Sequence, residues 1–275
     1  MKLGLALRNM GLQATRDVLV ACARAAEDEG VDDVWVADHL AIPPEDAEGS
    51  EGRYLDPLAT LAMLSGVTRR IGLGTAVLNL PFRPPLPTAK WIATIQELSG
   101  GRLLLGVGLG WMEAEFRALG IARSARARLA DDTLEFLRRC FAADEVSAHG
   151  QRFLFRPRPL APPIFVGGAP PHALARAVRF GDGWMPMGDD PAQLAPAVAE
   201  LGRGAREAGR GPLEVACLAP LRMDEPAEQA AGRLRALDGA GVTRVIYAIG
   251  RYPDAEAFRR AAARLGGELR GRLAQ

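Results

Sequence analysis

Lysine is nearly absent from this chain. Of its 34 basic residues only Lys2 and Lys90 are lysines. The rest are arginine, which we read as the compositional bias of a GC-rich genome. The net charge is +1, and no stripe of basic residues is dense enough for a nucleic-acid footprint. Cysteine is equally scarce: Cys22, Cys140 and Cys217, none in a CxxC spacing. They read as buried reduced thiols, which excludes a disulfide framework. The three histidines, His39, His149 and His172, share no ligand spacing with one another or with carboxylates, so no metal is expected. No apolar run approaches the roughly 20 residues of a membrane helix. The opening MKLGLALRNMG is too short for a signal peptide and is interrupted by Arg8. No membrane partner is expected, and the expected location is cytoplasmic. P-loop and GxSxG signatures are also missing.

What is present is an alternation. Apolar residues make up 48% of 275 residues and charged residues 24%, enough for one barrel of about 250 residues or two small domains. Strands are expected at 2–7, 33–37, 71–77, 103–107, 163–167, 183–186, 213–219 and 244–249. Several are near-continuous apolar runs (LGLAL, VWVA, LLLGV, IFVGG), the mark of parallel strands buried on both faces. Between them, helices are expected at 15–29, 57–65, 87–98, 126–141, 170–180, 191–208, 226–237 and 254–265. Prolines open several of these, and Gly30, Gly66, Gly100, Gly209 and Gly266 follow their ends. The count leaves a closed (β/α)₈ TIM barrel or a doubly wound open sheet, and length and number favour the barrel. No linker divides the chain, so residues 1–275 read as one domain. The segment 142–162 breaks the pattern: Val146–Ala148 and Phe153–Phe155 can pair as a hairpin around His149 and Gly150. It reads as an insertion between the fourth helix and fifth strand, expected over the C-terminal rim.

Candidate chemistry gathers at the strand ends, where this fold builds active sites. Asp38 and His39 close the second strand. A histidine can exchange a proton near neutral pH and a carboxylate can orient it, though Asp38 could equally bond backbone N–H groups at a loop start. Gly72 and Gly74 suit tight packing or close approach of a ligand, and Asn79 follows at the rim. Gly106, Gly108 and Gly110 do not have the GxGxxG spacing. They admit a flat ring, with Trp111 as an aromatic wall, or else make an ordinary tight turn. Gly167 and Gly168 run directly into an expected helix start, which is either an anion site at a helix N-terminus or a plain glycine turn.

These segments in this order resemble the luciferase-like monooxygenase superfamily. The most specific stretch is VLNLPFRPPLPTAKWIATIQELSGGRLLLGVGLGW, with VWVADHL before it and PIFVGGAPPHALARAVRFGDGW after it. The resemblance implies a (β/α)₈ barrel, often a homodimer, that uses FMN or the deazaflavin coenzyme F-420. The Asp–His pair is similar to that of the F-420-dependent oxidoreductase branch. On that likeness Asp38 contacts the deazaflavin and His39 handles the proton. Ala76 and Val77 fall at a non-proline cis peptide that backs the ring, and Asn79, Leu109 and Gly110 lie beside the cofactor. Gly167, Gly168 and Ala169 match the phosphate loop. Trp111 stands where sugar-phosphate dehydrogenases carry a catalytic glutamate, so it is assigned to the substrate pocket. Glu115 and Phe116 are expected to be structural. The implied activity is hydride transfer between F-420 and a small organic substrate. Two alternatives remain: an FMN-dependent monooxygenase fed by a separate flavin reductase, or a non-catalytic flavin- or deazaflavin-binding protein.

Overall fold

The computed structural model describes residues 1–273. In chain order the elements are β1 (Lys2–Ala6), α1 (Arg16–Asp28), β2 (Asp33–Val36), α2 (Pro57–Ser65), β3 (Gly72–Asn79), α3 (Pro85–Leu98), β4 (Leu103–Gly108), α4 (Glu113–Ala118) and α5 (Arg126–Ala142). There follow β5 (Glu145–Ala148), β6 (Gln151–Leu154), β7 (Ile164–Gly167), α6 (His172–Phe180), β8 (Gly183–Met185), α7 (Pro191–Glu207), β9 (Glu214–Pro220), α8 (Ala227–Gly239), β10 (Arg244–Ala248) and α9 (Ala255–Ala263). Eight strands, all but β5 and β6, close into a barrel in the order β1-β10-β9-β8-β7-β4-β3-β2, and every adjacent pair is parallel.

The apolar runs have the expected cause. In β2 successive side chains point to opposite faces: Val34 and Val36 join the large core under the helices. Trp35 points inward to a second core with Phe165, Met185, Ala216 and Ile246. A strand serving two dry layers has no polar position to alternate with. Gly74 is explained by the same packing, because the Trp35 ring fills the space a side chain there would need. At the N-terminal floor of the barrel Asp33 is buried against Arg244 and the Trp35 indole. Burial outweighs Arg244 and pushes that carboxyl up to about 6. All three cysteines are free and buried, and burial pushes the thiols up to about 11 at Cys22 and Cys140 and about 12 at Cys217.

Helix starts follow local chemistry. Thr15, Asp56, Asp190 and Asp254 accept from first-turn N–H groups. α3 begins two residues before the expected Pro87, at Pro85, since the first turn tolerates successive prolines. α6 begins at His172, two residues after the expected start. The last helix does not stop before Gly266; it continues through a π-helical stretch, Arg264–Leu269, to Leu273. There Gly266 rests directly on the Glu29 carbonyl, so this glycine is a contact point and not a terminator.

The hairpin β5–β6 forms around His149 (φ 49°) and Gly150 (φ 80°), the paired positive angles of a type I′ turn. An αβ connection leaves a barrel from the face opposite the mouth, and the hairpin lies along the outer wall. Arg139 donates to the Ser147 carbonyl and Lys90 to the Arg156 carbonyl, while Gln96 reaches the Leu160 carbonyl at 3.0 Å. Val146 and Phe155 are buried in the outer core. Among the described residues no helix is long and apolar enough to cross a membrane.

Candidate active site

The C-terminal ends of the strands converge on a cavity of about 500 Å³. Ala76 and Val77, the backbone of Gly108, Leu109 and Gly110, and Gly167 and Gly168 line it side by side, from the neighbouring strands β3, β4 and β7. Met185, Pro186, Met187 and Leu218 complete the apolar lining, and Asn79, Trp111 and Arg126 stand at its edges. The Ala76–Val77 peptide is cis, as the resemblance implied, and the β3–β4 register shifts between Thr75 and Leu78. Val77 lies between Gly108 and Gly167, where a Cβ at either position would meet its methyl groups. The bare strand ends therefore make room for Val77 and for whatever lies on it. Gly110 has φ 76°, and a side chain there would press on Phe82 and Phe116.

His39 is held by a residue the sequence reading set aside. Its Nδ1 lies 3.1 Å from Glu115 Oε2, and the other Glu115 oxygen accepts from the N–H of Leu40 at 2.6 Å and of Ala41 at 3.3 Å. Glu115 is buried. Burial works to raise its carboxyl, but the bonds from His39 and the two N–H groups outweigh this and hold it below the ordinary carboxylate value. An ionised carboxylate accepts only, so Nδ1 carries the hydrogen and Nε2 is left for exchange with a ligand. The imidazole is further boxed by Tyr54, with ring centroids 4.9 Å apart, and by the edge of Trp111 at 6.1 Å. Phe116, next to Glu115, is structural as expected: it is buried edge-on to Phe82. Nothing local in EAEF distinguishes the glutamate; only the rim loop folded over α4 does.

Asp38 is engaged by the protein itself. It is buried and accepts both Arg83 nitrogens, at 2.6 and 2.8 Å, and the Asn79 N–H at 2.8 Å. Arg83 also reaches Asp56 at 2.8 Å. Burial disfavours the Arg83 charge, yet the hydrogen bonds and attraction of the two aspartates outweigh it and hold the guanidinium above its ordinary value. Neither Asp38 nor His39 lines the cavity itself; His39 stands behind Trp111, which does. Asp38 braces the ends of β2 and β3, and Asn79 returns a bond from its amide to the Asp38 carbonyl at 3.0 Å. Asn9 supports the same strand end by exchanging bonds with the backbone of Ala37.

In the expected phosphate loop one N–H is engaged within the protein. The Gly168 N–H donates to the Met185 carbonyl at 3.2 Å, and Pro170 and Pro171 offer no donor. Gly167 and Gly168 face the cavity, whereas Ala169 lines a separate cleft beside Trp184. A positive group, Arg126, also lines the cavity. Its neighbours in an adjoining cleft of about 480 Å³ include Ser124, His172, Arg176 and Arg179. Arg176 is paired with Asp131 at 2.5 Å and Arg179 faces Glu135 at 3.7 Å. Arg126 has no carboxylate within 4.0 Å among the described residues; one of its nitrogens donates to the Arg123 carbonyl at 3.2 Å.

The closed parallel barrel and the apolar cavity at the C-terminal ends of its strands put the candidate site where barrel enzymes build theirs. The family model of the luciferase-like monooxygenases matches residues 4–273, and the chain belongs to that family. An uncharacterized protein of Mycobacterium tuberculosis is 32% identical over 215 residues, covering 71% of this chain and 74% of that protein. An F-420-dependent hydroxymycolic acid dehydrogenase of the same organism is 33% identical over 210 residues, covering 73% of this chain and 57% of that protein's length. The crystal structure of the monooxygenase RslO1 from Streptomyces bottropensis has the same fold. It superposes with a TM-score of 0.81 at 21% identity, covering 98% of this chain and 99% of that one.

Proposed function

We propose that the protein is an oxidoreductase that binds coenzyme F-420 in the mouth of the barrel and acts on a small organic substrate, with His39 as its proton-handling residue. The observation that carries this is the His39–Glu115 pair standing beside a cavity walled by Val77 and bare glycine backbone. A flat tricyclic ring fits such walls, and Arg126 supplies a charged partner for a phosphate at one end. The cofactor, when bound, supplies the hydride chemistry. The chain's own residues do the rest: Nε2 of His39 gives or takes a proton, and Glu115 fixes the tautomer and faces the charge that forms. Val77 with the glycine walls orients the ring, and Trp111 covers the site against water. The F-420-dependent relative supports the choice of deazaflavin. A second reading, an FMN-dependent monooxygenase supplied by a separate reductase, is supported by the family as a whole, and the cavity walls suit either ring. The homodimer implied by the resemblance is part of the proposal, and α3 exposes Leu86, Trp91 and Leu98; light scattering at several concentrations tests it. The deciding experiment titrates the pure protein with F-420 and with FMN side by side, following fluorescence quenching. Tighter binding of F-420 is expected. Preference for FMN together with oxygen consumption would turn the assignment to the second reading. Tight binding without turnover in any hydride-transfer assay would leave a non-catalytic binding protein.

A further inference from the structure

His39 and the cavity are neighbours that do not meet. Trp111, which is part of the lining, stands edge-on to the imidazole with ring centroids 6.1 Å apart. A proton passes only between atoms in hydrogen-bond reach, directly or through one water. Either the histidine or the tryptophan must therefore shift before His39 acts on a molecule in the cavity. The two are held very differently. His39 Nδ1 is bonded to Glu115, and that carboxylate is itself pinned by the N–H groups of Leu40 and Ala41. The Tyr54 ring packs on the imidazole from another side, and Tyr54 is bridged through its backbone to Met10. Trp111 is 66% exposed. The indole N–H groups of Trp35 and Trp184 are bonded, whereas among the described residues no hydrogen bond holds that of Trp111. The backbone beneath it is firm, because Gly110 abuts Phe82 and Phe116 and Met112 is buried. The freedom lies in the Trp111 side chain alone, and exposed side chains change rotamer in picoseconds to nanoseconds.

We propose that Trp111 is a gate: its indole closes His39 off from the cavity, and a change of rotamer on an unmoving backbone joins the two. Closed, the ring shields the imidazole from solvent in the mouth. Open, it lets Nε2 reach a molecule lying on Val77 and the glycine backbone. The gate deepens the proposed function and rests on it for the role of His39, but the position and freedom of the ring belong to the chain without any ligand.

The test is the rate at which diethyl pyrocarbonate modifies each histidine, read by mass spectrometry of peptides from the unaltered protein, Trp111→Ala and Trp111→Phe. The exposed His149 and His172 serve as references within each sample. Minor conformers are populated at about 0.1–10%, so removing the ring is expected to speed modification of His39 about 10- to 1,000-fold against the references, with Trp111→Phe keeping most of the protection. His39 reacting as fast as the references in the unaltered protein, no acceleration in Trp111→Ala, or an equal rise at all three histidines would overturn the gate. A second measurement needs no variant: crystals of the unaltered protein with F-420 or FMN bound are expected to show the indole turned away from His39. The ring still standing between His39 and the bound cofactor would overturn the gate and leave the proposed function. Failure of both cofactors to bind, with His39 uncovered by Trp111→Ala, would instead remove the proposed function and leave the gate standing.

Discussion

Replacing Glu115 by glutamine is the sharpest perturbation of this site. The side chain keeps its shape and one acceptor but loses its charge. In the native protein the two oxygens accept from His39, Leu40 and Ala41. Hydrogen bonds to a charged group contribute about 1.5–3 kcal/mol each against about 0.5–1.5 for neutral ones. The loss at His39 grows as the imidazole takes up a proton, because the carboxylate then faces a full positive charge. Taking about 1–3 kcal/mol as the part felt only when His39 is charged, turnover is expected to fall roughly 5- to 150-fold. The assay is kcat and KM across pH, with cofactor affinity measured separately by quenching. A fall in kcat with cofactor affinity within about threefold of the unaltered protein is expected. Equal losses in kcat and cofactor affinity would show that Glu115 shapes the pocket and does not tune His39; an unchanged kcat would refute the orienting role. Stability carries a second signature. The carboxyl sits below its ordinary value in the folded state, so it stabilises the fold above its unfolded pKa, and that contribution is lost as pH falls through the depressed folded value. Acid denaturation is therefore expected to contain a contribution that the glutamine variant lacks.

His39→Ala is expected to lower turnover by about 10²–10⁴-fold while changing cofactor affinity much less, read from the same two assays. Asp38→Asn leaves Arg83 with Asp56 as its one charged partner and is expected to destabilise the protein by about 1–3 kcal/mol in urea unfolding; a selective loss of cofactor binding with stability intact would support Asp38 as a cofactor contact. Arg126→Ala is expected to weaken FMN by about 10- to 150-fold, the loss of one or more charge-assisted bonds, and to leave riboflavin binding nearly unchanged; equal effects on both would place the phosphate elsewhere.

The barrel was legible because its signals are local. Apolar runs such as VWVA arise from strands buried on both faces, helix starts are set by prolines and capping side chains within a few residues, and the His149–Gly150 turn needs only its own backbone angles. Placing Gly110, Trp111 and Gly167 at one mouth followed from the strand-end pattern, because every strand end in this fold opens on the same rim; Val77 and Leu109 were placed there by the family resemblance. Pairing of side chains did not follow. Glu115 meets His39 across 76 positions of chain, and Asp38 meets Arg83 across 45; neither partner is marked by its neighbours in sequence. Asp38 read as a cofactor contact, and the structure shows its carboxylate paired with Arg83; Glu115 read as structural, and the structure shows it bonded to His39. The position of Arg126 was likewise invisible until the start of α5 was set against α6. Periodicity and turn chemistry decide the backbone because they act over a few residues. Which charged group faces which is decided by distances and burial that exist only once the barrel has closed.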